Sequence, residues 1–169
     1  MNRYRYYKDK TNAVLISVNG AVTVQVGDMM FLDSEDNLRN DGSSTADNTA
    51  YPFEYFRISG ASLELNRIAV KNYFLGIAME DKDGEENGPS INIPIYTSGQ
   101  YDLDLKPGRS VDVGDMFCAS GTTSASNLFN QKVMITSEVS KALGYFTEKK
   151  INANNAYGFI RTSIGNKIN

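Results

Sequence analysis

The stretch "VQVGDMMF", from Val24 to Phe31, returns almost unchanged as "VDVGDMF", from Val111 to Phe117. Asp28 and Asp115 lie 87 positions apart in a chain of 169 residues. The likeness extends beyond these residues. Each copy follows a strand, a Gly-containing turn and a second strand. Each then leads through a polar stretch to a Leu-Gly pair, Leu75-Gly76 in "YFLGIAMED" and Leu143-Gly144 in "KALGYFTEK". Several features in one order indicate an internal duplication, with halves at about residues 13–86 and 91–164. The period is longer than that of solenoid repeats, so two similar halves of one sheet or barrel fit it. Gly27 to Gly76 spans 49 positions and Gly114 to Gly144 spans 30, so the first half holds an extra loop and helix.

The local pattern is mostly that of strands. Val14, Ile16 and Val18 alternate with Leu15 and Ser17, and Val22, Val24 and Val26 alternate with Thr23 and Gln25. Period two with β-branched residues reads as strand. Asn19-Gly20 between the two runs predicts a tight hairpin. Ile91, Ile93 and Ile95 share one face of a further strand, Ser98-Gly99 is the predicted turn after it, and Lys106-Pro107-Gly108 is a second turn. The strands "LFNQKVMIT" and "AYGFIRTSI" follow. The one strong helix signal is "ASLELNRIAVKNYF", with Ser62 as cap and Leu65, Ile68 and Ala69 on its apolar face. Residues 33–50 are polar and predict a long exposed loop. The expected fold is therefore all-β: one compact barrel or sandwich domain over residues 13–169, with one short helix and an arm at residues 1–12.

Chemistry is sparse. The chain has no histidine, which removes the commonest general base, the usual metal ligand and every His-containing triad. Asp28 and Asp115 invite comparison with a paired-carboxylate centre. The structural reading is preferred, because Gly-Asp is an ordinary turn in which Asp accepts a backbone hydrogen bond. Cys118 follows an apolar strand and reads as a small core residue; as the single cysteine it excludes an internal disulfide. "EDKDGEE", Glu80 to Glu86, has oxygen ligands suited to calcium but lacks the EF-hand spacing, and reads as a solvated turn. No phosphate-binding glycine loop occurs, and no cofactor is expected.

Net charge is −3, which argues against direct nucleic-acid binding. Its distribution is uneven: residues 1–10 carry +3 and the remainder −6. Arg3, Tyr4, Arg5, Tyr6 and Tyr7 form a basic, aromatic run of the kind enriched at protein interfaces, and are the candidate binding residues. No apolar run approaches the roughly 20 residues of a membrane helix, and the polar start lacks the core of a signal peptide. The expectation is a soluble protein made and kept inside a cell, or released by lysis.

"GQYDLDLKPGRSVDVGDMFCAS" followed by "KALGYFTEK" resembles the small β-barrel capsid cement, or decoration, proteins of tailed bacteriophages. "VQVGDMMF" with "YFLGIAMED" fits the same pattern, so the resemblance covers most of residues 13–164. The chain departs from it at the 33–50 loop, at the basic start and at Phe146, where the family has a small Ala. The resemblance implies a binding protein without turnover, made in the host bacterial cytoplasm. It implies a place on the capsid surface, as a trimer bridging major capsid protein subunits. Alternatives are another virion β protein (a head fibre base, a tail tube or a baseplate component), a glycosidase using acidic pairs, and a carbohydrate-binding module. The last two are disfavoured by the lack of any Trp for a sugar platform.

Overall fold

The computed structural model describes residues 12–162. Its described residues are mainly β with one α-helix, as expected, and form two similar halves, each a closed five-stranded barrel. In the first, β1 (Ala13–Val18), β2 (Met29–Leu32), β3 (Ala50–Pro52), β4 (Phe74–Ala78) and β5 (Ile91–Tyr96) are arranged in the order β1-β3-β2-β4-β5. In the second, β6 (Ser98–Val111), β7 (Met116–Thr122), β8 (Asn127–Thr136), β9 (Gly144–Phe146) and β10 (Lys150–Arg161) are arranged as β6-β8-β7-β9-β10. Replacing β1–β5 by β6–β10 in chain order converts one arrangement into the other. In both, the first and third strands run parallel and the other strand pairs are antiparallel. Closure leaves no sheet edge open to a neighbouring chain along the paired lengths.

The registers agree residue by residue. Ala13 pairs with Tyr96, and Gln100 with Phe159; Leu32 pairs with Ala50, and Ala119 with Val133. The 87-position offset of the opening motif thus holds through the first two strands of each half. The Gly-Asp turns coincide as well. Asp28 N–H donates to Gln25 O at 3.0 Å, and Asp115 N–H to Asp112 O at 3.1 Å. Gly27 N–H donates to Ala78 O at 3.0 Å, and Gly114 N–H to Phe146 O at 2.9 Å. Both glycines have positive φ, 102° and 91°, a region that costs other residues strain.

The Leu-Gly pairs have a steric cause, to which Gly76 adds a positive φ of 143°. A Cβ on Gly76 would overlap the carbonyl oxygen of Tyr96, and one on Gly144 would overlap that of Phe159. Tyr96 and Phe159 hold equivalent places on the fifth strands, so each fourth strand can press against its fifth only through a glycine. The barrel interiors then diverge by compensating swaps. The second barrel has Phe117 and Phe146 where the first has Met30 and Ala78, and their rings lie 5.2 Å apart. Room for them comes from Gly158, the counterpart of Ile95, where a Cβ would strike Phe117 and Leu103. The first barrel fills with Phe31, Tyr51 and Phe56, Phe31 meeting Phe56 edge-on at 5.0 Å. Burying each such ring contributes about 1.5–3 kcal/mol. The buried residues of both barrels form one continuous core cluster.

Five expectations need correction. The run Val22 to Val26 does not form a hairpin with β1; Val24 makes only an isolated bridge to Lys82, and Asn19 instead closes a local turn with Val22. Residues 91–96 close the first barrel, so the halves divide at Thr97 and not near residue 90. Ser98-Gly99 is no turn, since β6 starts there and pairs with β10. Lys106-Pro107-Gly108 is a bulge inside β6: five steps from Asp104 to Arg109 face two steps of β10. The helix α1 (Leu63–Tyr73) has its Ser62 cap, but it buries Leu63, Asn66, Arg67 and Val70. Leu65 and Ile68 stay 54% and 36% exposed. Thr97 is the sole residue between the barrels, and it bonds both ends of the described chain: its N–H donates to Asn12 O, and its carbonyl accepts from Thr162 N–H.

Two glycines separate the two causes. At Gly114 a Cβ would meet nothing within 4 Å, so only the positive φ resists substitution. Gly114→Ala is expected to cost about 1–2 kcal/mol. Gly144→Ala meets no such φ strain but must displace backbone and the Phe117 ring, and is expected to cost about 3 kcal/mol or more. Urea unfolding of the two variants checks this; the reverse order would refute the close-approach account.

Candidate functional site

Both recurring aspartates are engaged by their own turns. Asp28 Oδ2 accepts from Gln25 N–H at 2.8 Å, and Asp115 Oδ2 accepts from Asp112 N–H at 2.9 Å. Asp28 has a second duty. It is buried, and its Oδ1 accepts from Gln131 Nε2 of the second barrel at 2.9 Å. Burial pushes its carboxyl above the usual range, against the pull of the Gln25 and Gln131 hydrogen bonds. Cys118 is buried and free, with its thiol pushed up by burial.

The acidic turn hides a buried cation. Lys82 Nζ donates to the carbonyls of Gly20, Val22 and Asp83 at 2.8, 2.7 and 3.2 Å. It organises the irregular run that follows β1, while Asp81 Oδ1 accepts from Val26 N–H. Desolvation lowers its pKa, opposed by Asp83 and Glu85. Among the described residues no group of three or more acidic or Cys side chains is placed to hold a metal ion. None of their helices is long and apolar enough to cross a membrane.

The 33–50 loop is exposed but tied to one hub. Arg39 Nε bridges Asp33 at 3.1 Å, and its Nη1 reaches Asp41 and Asp47 at 3.2 and 3.3 Å. The Arg39 guanidinium also lies 4.6 Å from the centre of the Tyr51 ring and donates to the Tyr51 hydroxyl. Asp33 is fully buried, and burial raises its carboxyl despite the Asp47 N–H and Arg39. At Asp47 burial also raises the carboxyl, but hydrogen bonds from Thr49 and Tyr51, together with Arg39, outweigh it and hold it below the ordinary range.

The helix ties the barrels together. Arg67 Nε donates to Ala119 O at 2.9 Å, and Asn66 Nδ2 to Ser126 O at 3.0 Å, both in the second barrel. Arg67 pairs with Glu64, which also pairs with Lys141; Lys141 in turn meets Glu138 at 2.6 Å. Leu63 lies over Gly121, which has no side chain to obstruct it. A buried Asn-Arg pair beside Leu63 and Val70 is the signal that a search for purely apolar faces passes over.

One large groove opens on the second barrel, with a volume of about 720 Å³. Pairing of the parallel strands β6 and β8 stops after Asp104–Lys132 and Leu105–Val133. Both strands bulge beside this seam. In β8, five steps from Leu128 to Val133 face two steps of β7, and the excess carries Phe129 and Lys132. Bulges at barrel rims re-aim side chains. Here they place Lys106, Arg109 and Lys132 around an apolar floor that includes Leu105, Val133 and Ile135. The expected binding residues Arg3, Tyr4, Arg5, Tyr6 and Tyr7 lie outside the described residues.

Removing the hub cation by Arg39→Ala leaves Asp33 buried beside no compensating charge and is expected to cost about 3 kcal/mol in urea unfolding. The pH dependence follows from the directions of shift. Asp47, lowered, stabilises fully above the unfolded value of about 3.9, and this is lost as pH falls through its lower folded value. Asp33, raised, acts in the opposite sense, its contribution fading as pH rises through its folded value. Asp47→Asn is therefore expected to flatten the acid limb of the stability–pH profile; an unchanged limb would refute the assignment. Compared with protein families and with curated proteins, the chain matches none.

Proposed function

We propose that this chain is a structural virion protein: a decoration, or cement, protein that binds the outside of a phage head and stabilises contacts between major capsid protein subunits, as a trimer. The observation that carries the reading is the use made of the duplicated motif. The Gly-Asp turns and the Leu-Gly strands, on which the resemblance rests, both close barrels; each Asp accepts from backbone in its own turn, and Asp28 adds a bond to Gln131 that ties the two halves together. Such a motif builds a rigid body rather than a reaction centre. The helix and the Arg39 hub stiffen that body further, as a clamp under load requires. In this reading the protein has no turnover and no cofactor. Attachment falls to the +3 segment at residues 1–10, which complements acidic surface on a neighbour.

The test mixes purified heads with the full chain and with protein lacking residues 2–10. The full chain is expected to cosediment with heads and not with tails. The truncated protein is expected to lose most of its affinity at equal salt while keeping its circular dichroism spectrum. Full-length protein that ignores heads would overturn the function. Undiminished binding by the truncated protein would move the contact to the barrels.

A further inference from the structure

We infer that the seam between β6 and β8 is a docking groove for an extended, acidic peptide segment of a partner protein. The inference does not rest on the capsid reading and concerns a surface other than residues 1–10.

Three observations converge. The first is backbone. Past Leu105 and Val133 the two strands part, so the sides of β6 and β8 that would have paired there face the groove instead. Strand sides of this kind take an added strand, whose main chain supplies the affinity. Pro107 has no N–H to give on β6, whereas β8 contains no proline, so β8 is the better side for an added strand. The second is charge. Lys106, Arg109 and Lys132 line the groove, and among the described residues none of them forms a salt bridge. Arg67 reaches it too but is engaged by Glu64. No carboxylate is among its described lining residues, although the whole chain is acidic. Asp104, the register partner of Lys132, belongs to the adjoining surface. The third is shape. The floor is apolar and the rim cationic, and Phe129, 41% exposed, holds Lys132 Nζ 5.7 Å above its ring.

A strand alternates its side chains between two faces. One that alternates acidic with aliphatic residues presents carboxylates to the rim and apolar groups to the floor. The volume is within the usual range of binding sites, roughly 300–1,000 Å³. Single-stranded nucleic acid would also meet the cations and Phe129. It has no use for the parted strand sides, however, which only a peptide main chain can pair with.

Fluorescence anisotropy of the full-length protein tests this, with a short labelled peptide alternating glutamate and valine. Binding is expected at low salt. It should weaken about tenfold or more in Lys106→Glu/Arg109→Glu, whose exposed positions leave folding intact by circular dichroism, and in Lys132→Glu. N-methylating alternate peptide nitrogens should weaken it comparably, because the main-chain bonds go. Amide exchange at Ile135, whose N–H faces away from β7 while those of Met134 and Thr136 face it, should slow on binding. No binding, or binding indifferent to N-methylation, would overturn the inference. So would an oligothymidylate that binds while the peptide does not. Self-association abolished by Lys106→Glu/Arg109→Glu, in protein that ignores the peptide, would replace the partner with a second copy of the chain.

Discussion

Each barrel depends on one contact between a backbone without a side chain and a carbonyl oxygen. Gly76 meets Tyr96 and Gly144 meets Phe159 at the same place in the two halves. Closing a sheet of only five strands bends them tightly, so the last pairing must be close. Any Cβ there would hold the fourth strand off the fifth. The Gly-Asp turn acts at the C-terminal end of the same strand, since Ala78 and Phe146 N–H donate to the carbonyls of Asp28 and Asp115. The fourth strand is thus held at two points, two residues apart. Its short length, three residues in the case of β9, is sufficient for that reason.

The halves differ where the first has insertions, and those insertions serve the joint. The 3-10 turn at Phe53–Tyr55 meets β8, where Glu54 N–H donates to Asn130 Oδ1 at 2.7 Å. The helix then reaches β7 and β8 through Arg67 and Asn66. The second half has no such insertion after β8 and keeps its seam with β6 unpaired. Duplication supplied two equal barrels; unequal loops made one a brace and left the other open.

Much of this was legible in the sequence. The repeat, the Gly-Asp turns, the Ser62 cap, the bias to strand and the core place of Cys118 all follow from local chemistry. What was not legible depends on partners far away in the chain. Asn19-Gly20 carries the composition of a hairpin, yet Lys82 captures the carbonyls of Gly20 and Val22 and prevents it. The helix face was misread because Leu65 and Ile68 look apolar, whereas the neighbouring barrel needs the donors of Arg67 and Asn66. The groove was hidden because a Pro-Gly pair inside a strand carries the same composition as a turn. Only the register of β10 against β6 shows it to be a bulge.

The single-residue joint has a consequence for how such a chain is assembled. In each barrel the first and last strands are neighbours: Ala13 lies beside Tyr96, and Ser98 beside Arg161. Each barrel therefore begins and ends at one spot. Two copies of a gene fused head to tail need no spacer to encode it, and Thr97 alone suffices. Because Asn12 and Thr162 both bond to Thr97, the two ends of the pair also meet there. Over the described residues the path from Asn12 to Thr162 is topologically near to a ring, and the order of its strands can be reopened elsewhere, with residues 12 and 162 linked, without re-pairing a strand.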